Sequence, residues 1–163
     1  MKDLFDVSGK VALVTGGSRG IGEMIAEGFV ANGVKTYISA RKAEACDATA
    51  ARLSKTGECI SIPADLSTAE GIGALVGEIK SREKQLDILV NNAGATWGAP
   101  IGEFPESGWD KIMTINVKSP FFLTQALLPL LEASASADDP ARIIMVGSID
   151  GLNVPASCRG TRS

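Results

Sequence analysis

The chain has 163 residues, 45% hydrophobic and 21% charged, with 16 basic against 19 acidic side chains for a net charge of −3. That length suits one domain with a real core, and the acidic balance argues against nucleic acid as the main partner. The chain contains no histidine, which removes Ser-His-Asp and Cys-His nucleophilic schemes and His-based metal sites.

No apolar run approaches the ~18 residues of a membrane span, so no membrane partner is expected. The first residues, Met1-Lys-Asp-Leu-Phe-Asp-Val-Ser, lack the apolar core of a signal peptide. Cys46, Cys59 and Cys158 are odd in number and far apart, which predicts buried or incidental thiols in a reducing cytoplasm. Neither a disulfide framework nor a metal site is expected.

In chain order, the apolar run 11–14 reads as a buried strand, and Thr15-Gly16-Gly17-Ser18-Arg19-Gly20-Ile21-Gly22 follows at once. Ile21, Met24, Ile25 and Phe29 then fall at helical spacing, giving a helix to about residue 33. A strand, a tight glycine turn and a helix N-terminus make a phosphate-binding place, because unpaired amides and the helix dipole meet there. Gly16 serves the sharp turn, Gly20 the approach of a pyrophosphate, and Gly22 close packing of helix on sheet. An ordinary Gly-rich loop is the competing reading, and the flanking strand and helix decide for a dinucleotide site. No Gly-Lys-Ser/Thr follows, which excludes a nucleoside-triphosphate P-loop.

Residues 34–39 form the second predicted strand, and Ala40-Arg41-Lys42 follows it. An NAD enzyme places a carboxylate here for the ribose 2′-hydroxyl. Ala40 stands there instead, with Arg41 beside it and Arg19 in the turn, a pair suited to the 2′-phosphate of NADP(H). Residues 42–55 predict a second helix and 59–62 a third strand, ending at Asp65 on the rim where open α/β sheets bind ligands. Ser67-Thr-Ala-Glu70 reads as a capping box opening a helix to about Arg82. The run 86–90 lacks alternation, as a strand covered on both faces should. It leads into Asn91-Asn92-Ala93-Gly94 and a loop, 95–105, that carries Trp97. A helix over 106–115 is expected to be interrupted at 116–120 and to resume through Phe121 to Leu131, broken or kinked at Pro129. That segment is apolar on more than one face, so it is either deeply buried or a subunit contact. Residues 142–146 form the fifth strand, ending at Ser148.

The Thr-Gly-x-x-x-Gly-x-Gly spacing at Thr15 and the Asn-Asn-Ala-Gly at 91–94 resemble the short-chain dehydrogenase/reductase family, and residues 8–155 fit it throughout. The loop Trp97-Gly-Ala-Pro and its surroundings look most like 3-oxoacyl reductases, including that of rhamnolipid synthesis. The resemblance implies an α/β Rossmann-type, doubly wound parallel sheet of order 3-2-1-4-5. It implies an NADP(H) site formed by Gly16, Ser18, Arg19, Gly20, Ile21 and Gly22, with Arg41, with Asp65 and Leu66 at the adenine, and with Asn92, Ala93 and Gly94. Ser148 matches the family's catalytic serine, which hydrogen-bonds the substrate carbonyl. Asn116 matches the asparagine whose backbone carbonyl holds a water of the proton relay. The expected substrate is a ketone such as a 3-oxoacyl thioester, and the segment around Phe121 to Leu131 is the family's usual homo-oligomer contact.

One family feature is missing. A Tyr-x-x-x-Lys follows the serine by about a dozen residues in that family, with tyrosine the general acid and lysine lowering its pKa. Gly160, Thr161 and Arg162 stand where the tyrosine would be, and the only tyrosine is Tyr37 in the second strand. The family's last two strands and their helices have no counterpart here. The expectation is therefore a single, incomplete dinucleotide-binding domain over residues 1–163, C-terminally truncated, with an atypical tail at 157–163 and little or no activity. A non-catalytic dinucleotide-binding fragment is the alternative; a methyltransferase-type domain fits poorly, since it wants an acid where Ala40-Arg41 stand.

Overall fold

A computed structural model describes residues 5–149. Their elements are β1 (Val11–Thr15), α1 (Gly20–Ala31), β2 (Lys35–Ser39), α2 (Ala43–Leu53), β3 (Cys59–Ser61), α3 (Ala69–Arg82), β4 (Ile88–Asn91), α4 (Glu106–Met113), α5 (Ser119–Ser134) and β5 (Arg142–Met145). The five strands are all parallel in the order β3-β2-β1-β4-β5, as the sequence predicts. The tail at 157–163 and the positions of the expected Tyr and Lys lie outside the described residues.

The unbroken apolar strands follow from burial on both faces. Val11, Leu13, Tyr37 and Leu89 face Leu75 and Ile79 of α3 and Leu123 and Leu127 of α5. Ala12, Val14, Ile38, Ile88 and Val90 face Ala26 and Val30 of α1 and Cys46, Ala50 and Leu53 of α2. Each such aliphatic side chain contributes about 1.5–3 kcal/mol on burial. β5 differs. Among the described residues it is an outer strand, and its Ile143, Ile144 and Met145 are exposed.

One expectation is corrected and two are refined. The cap of α3 is Thr68, whose hydroxyl accepts from the amide of Gly71 at 3.0 Å; Ser67 lies one residue too early and is drawn instead to Asp65. The interruption expected at 116–120 takes the form of a π-helical turn, Thr114–Lys118, which joins α4 to α5 without leaving the helical course. Pro120 lacks an N–H, so the carbonyl of Asn116 has no α-type donor, and the widened turn accommodates that loss. Pro129 lies inside α5, which continues to Ser134.

Candidate functional site

Parallel strands end their carbonyls and the following turns on one rim, and ligands of open α/β sheets bind there. A cleft of about 1010 Å³ lies along that rim, from Arg41 and Lys42 beyond β2, across the turn after β1, to Lys111 of α4 and Ile115 of the π turn. Gly16, Ser18, Arg19, Ile21 and Gly22 line it, as do Asp65, Leu66, Asn92, Ala93 and Gly94. Gly20 completes the turn with φ of +57°. Asn116 and Ser148 are not among the lining residues.

The turn is held by hydrogen bonds that local sequence does not display. The Thr15 hydroxyl donates to the carbonyl of Val90 at 3.2 Å and accepts from the amides of Asn92 and Ala93, each at 3.0 Å. The Asn92 carboxamide donates to the carbonyls of Thr15 at 2.9 Å and Gly16 at 3.3 Å. The Gly17 amide reaches the carbonyl of Ser39 at 3.2 Å. Asn91 turns the other way, toward Thr124 and Met145. The turn after β1 is thus bolted to the ends of both neighbouring strands, leaving the first amides of α1 facing the cleft by helix geometry.

Gly16 and Gly22 are required by these contacts. Gly16 has φ of +67°, and a Cβ there would come within 2.8 Å of the Asn92 side chain. A Cβ on Gly22 would collide with the Gly16 carbonyl and with Asn92. Gly22 therefore makes room chiefly for the turn and Asn92, a refinement of the helix-on-sheet role expected for it.

Charge in the cleft is mostly positive: Arg19, Arg41, Lys42 and Lys111 line it, against the single carboxylate of Asp65. Hydrogen bonds from the Ser67 hydroxyl and amide, helped by Arg41, hold the Asp65 carboxyl below its ordinary range. One oxygen of Asp65 is thereby committed to Ser67, at 2.7 and 3.0 Å. Beside Ala40, Ser39 is a lining residue of the cleft, and its hydroxyl is buried with no hydrogen-bond partner among the described residues. A buried hydroxyl without a partner is unfavourable unless a ligand supplies one. The glycine cradle and the cations together fit a phosphorylated nucleotide. Ser39 and Lys111 escape the sequence reading; the only signal for Ser39 is a polar residue ending an apolar strand on the ligand rim.

Asn116 lies in the π turn, where its carboxamide pairs with the backbone of Ala95. Ser148 is exposed beyond the end of β5, and the amide of Val146 bonds the carbonyl of Asn91 at 3.0 Å. Tyr37 is buried in mid-strand, its hydroxyl donating to Glu83 at 2.6 Å, far in function from any of these. Among the described residues, no group of His, Cys, Asp and Glu could hold a metal ion, and no helix is long and apolar enough to cross a membrane.

Residues 10–159 match the family described as short chain dehydrogenase. A rhamnolipids biosynthesis 3-oxoacyl-[acyl-carrier-protein] reductase of Pseudomonas aeruginosa is 52% identical over 94% of this chain and 60% of its own length. A gluconate 5-dehydrogenase of Gluconobacter oxydans is 37% identical over 77% of this chain and 49% of its own. Among solved structures, the Pseudomonas aeruginosa RhlG/NADP active-site complex superposes with a TM-score of 0.90 at 52% identity, over 95% of this chain and 60% of that one. L-Sorbose reductase from Gluconobacter frateurii, complexed with NADPH and L-sorbose, gives 0.83 at 33% identity, over 89% and 54%. The chain spans about 60% of the length of the Pseudomonas aeruginosa relative. With the strand order, the glycine turn and residues 10–159 all in agreement, the chain belongs to the short-chain dehydrogenase family of oxidoreductases.

Proposed function

We propose that this chain binds NADP(H) in the rim cleft, in a lineage of reductases acting on a ketone such as a 3-oxoacyl thioester. The observation that carries this is the wall beyond β2, where Ala40 replaces an acid and Arg41 and Arg19 line the same cleft. The amides at Gly20, Ile21 and Gly22 take the pyrophosphate, and Arg19 and Arg41 take the 2′-phosphate. Asp65 and Leu66 flank the adenine, and Asn92, Ala93 and Gly94 lie against the cofactor ribose. The bound nicotinamide supplies hydride transfer. Ser148 donates to the substrate carbonyl oxygen, and the Asn116 carbonyl holds a relay water. The Pseudomonas aeruginosa relative, a 3-oxoacyl-[acyl-carrier-protein] reductase by name, supports the substrate class. A cytoplasmic setting fits the two buried thiols, Cys46 and Cys59. The exposed stripe Trp109, Met113, Val117 and Phe121 supports a homo-oligomer contact through α4 and α5.

A second reading, a cofactor-binding chain without turnover, rests on Tyr37. It is the only tyrosine, and it is buried against Glu83. Tyr37 is therefore not the phenol that protonates a carbonyl beside Ser148, and a general acid in that role is worth roughly 10²–10⁴-fold in rate. Calorimetric titration with NADPH and NADH tests the first reading: tighter NADPH binding is expected, and equal affinities refute the assignment. NADPH consumption with a 3-oxoacyl thioester tests the second, which turnover at the rate of a full-length reductase would overturn.

A further inference from the structure

Lys111 belongs to no role described so far, yet it lines the cleft with Arg19 and Arg41. Its ammonium sits 5.2 Å from the centre of the Trp97 ring. Trp97 in turn lies flat against α4, because position 108 is a glycine: a Cβ on Gly108 would stand 2.9 Å from ring atoms of the indole. Gly108 and Lys111 are three residues apart on one helix face, so the ring rests on one and under the other. No carboxylate pairs with Lys111 among the described residues; the ion pairs there use Lys10, Lys35, Arg52, Arg82 and Arg142. An ammonium on a four-carbon stem ordinarily wanders, and seating it on an indole restricts it at little expense in affinity for anions. The result is a directed, uncompensated cation on the cleft wall that carries the Trp97 loop.

We propose that Lys111 is a phosphate-recognition residue of this cleft, its ammonium positioned by Trp97 on Gly108. The proposal rests on the NADP(H) reading and extends it: the glycine turn and the two arginines already answer the cofactor's anionic groups on the β2 side, and Lys111 supplies a cation from the α4 side. Phosphate could reach it from the cofactor or from the phosphopantetheine arm of an acyl-thioester substrate, and the two sources separate experimentally.

The test is calorimetry on the full chain and on Lys111→Met, Lys111→Arg and Trp97→Leu, with NADP⁺ as one probe and acetoacetyl-coenzyme A added to NADP⁺-saturated protein as the other. Lys111→Met is expected to weaken one of the two probes roughly five- to twentyfold, as for loss of one charge-assisted hydrogen bond at a solvent-facing site. The weakened probe names the source. Lys111→Arg should restore most of the affinity, and Trp97→Leu, which keeps the charge without its seat, should lose roughly two- to fivefold. The wild-type advantage should shrink as salt rises. Tight NADP⁺ binding with Lys111→Met unchanged for both probes overturns this proposal alone. Wild-type chain that is folded by circular dichroism and binds neither probe overturns it together with the NADP(H) reading.

Discussion

The carboxamide of Asn116 and the backbone of Ala95 are paired in both directions: the Ala95 amide donates to Oδ1 and Nδ2 donates to the Ala95 carbonyl, each at 2.9 Å. A side chain from the π turn thus does what a neighbouring strand would do, extending the order of β4 into the loop beyond Gly94. A Cβ at Gly94 would come within 3.3 Å of the same Oδ1, a tight contact that a small shift of the carboxamide would have to relieve. Asn116→Ala removes both bonds and should destabilise the chain by about 1–2 kcal/mol. Hydrogen exchange at the Ala95 amide should accelerate more than exchange in β1; an unchanged Ala95 rate would show that the pair holds nothing.

Two glycines of α1 make opposite predictions. Gly22→Ala drives a methyl group into the Gly16 carbonyl and Asn92, neither of which can yield without moving the turn. A loss of roughly 2–4 kcal/mol is expected, with cofactor affinity falling as well. Gly28 meets nothing within 4 Å, so Gly28→Ala should stabilise by about 0.5–1 kcal/mol through helix propensity. Urea unfolding of both variants checks the pair.

Arg41→Ala probes cofactor choice. Loss of a guanidinium from a 2′-phosphate should weaken NADP⁺ roughly ten- to hundredfold and leave NAD⁺ within about twofold. Equal weakening of both cofactors would place Arg41 elsewhere than at the 2′-phosphate.

The single tyrosine gives a direct pH prediction. Burial, then the hydrogen bond to Glu83 and its charge, push the Tyr37 phenol up to about 12. Its folded value lies above the ordinary ~10 of an unfolded chain, so the stabilisation is complete below about 10 and is lost as pH rises through 12. Ultraviolet titration of the native chain should show no tyrosinate until that range or until unfolding. Tyr37→Phe should lose about 1 kcal/mol near neutral pH and show a flatter alkaline limb.

On β5, the outer strand among the described residues, Ile143 and Ile144 are 45% and 43% exposed. An outer strand with such side chains invites pairing with other copies. Ile144→Lys should lower light scattering at micromolar concentration while changing the unfolding free energy by no more than ~0.5 kcal/mol. Unchanged scattering would show that another surface governs association.

The features legible in the sequence are those written in consecutive residues. An apolar run from Val11, glycines at 16, 20 and 22, and a helical period after them announce strand, turn and helix, since burial and backbone freedom act locally there. Repetition of that pattern carries the parallel sheet and its order, and the absence of an acid at Ala40 is equally a local fact. The capping register was off by one because Ser67 and Thr68 are both competent caps, and only the pull of Asp65 on Ser67 selects Thr68.

Tertiary structure alone decided what depends on partners distant along the chain. Thr15 meets the amides of Asn92 and Ala93, 77 and 78 residues away, and Asn116 meets Ala95 across 21. Ser39 acquires interest only because the fold brings it to the cleft wall beside Ala40, with its hydroxyl buried and unpartnered among the described residues. Lys111 does so because Gly108 lets an indole lie beneath it. Hydrogen bonding and packing are short-ranged in space and indifferent to sequence separation, so sequence alone located the glycine turn, and the folded chain determined what surrounds it.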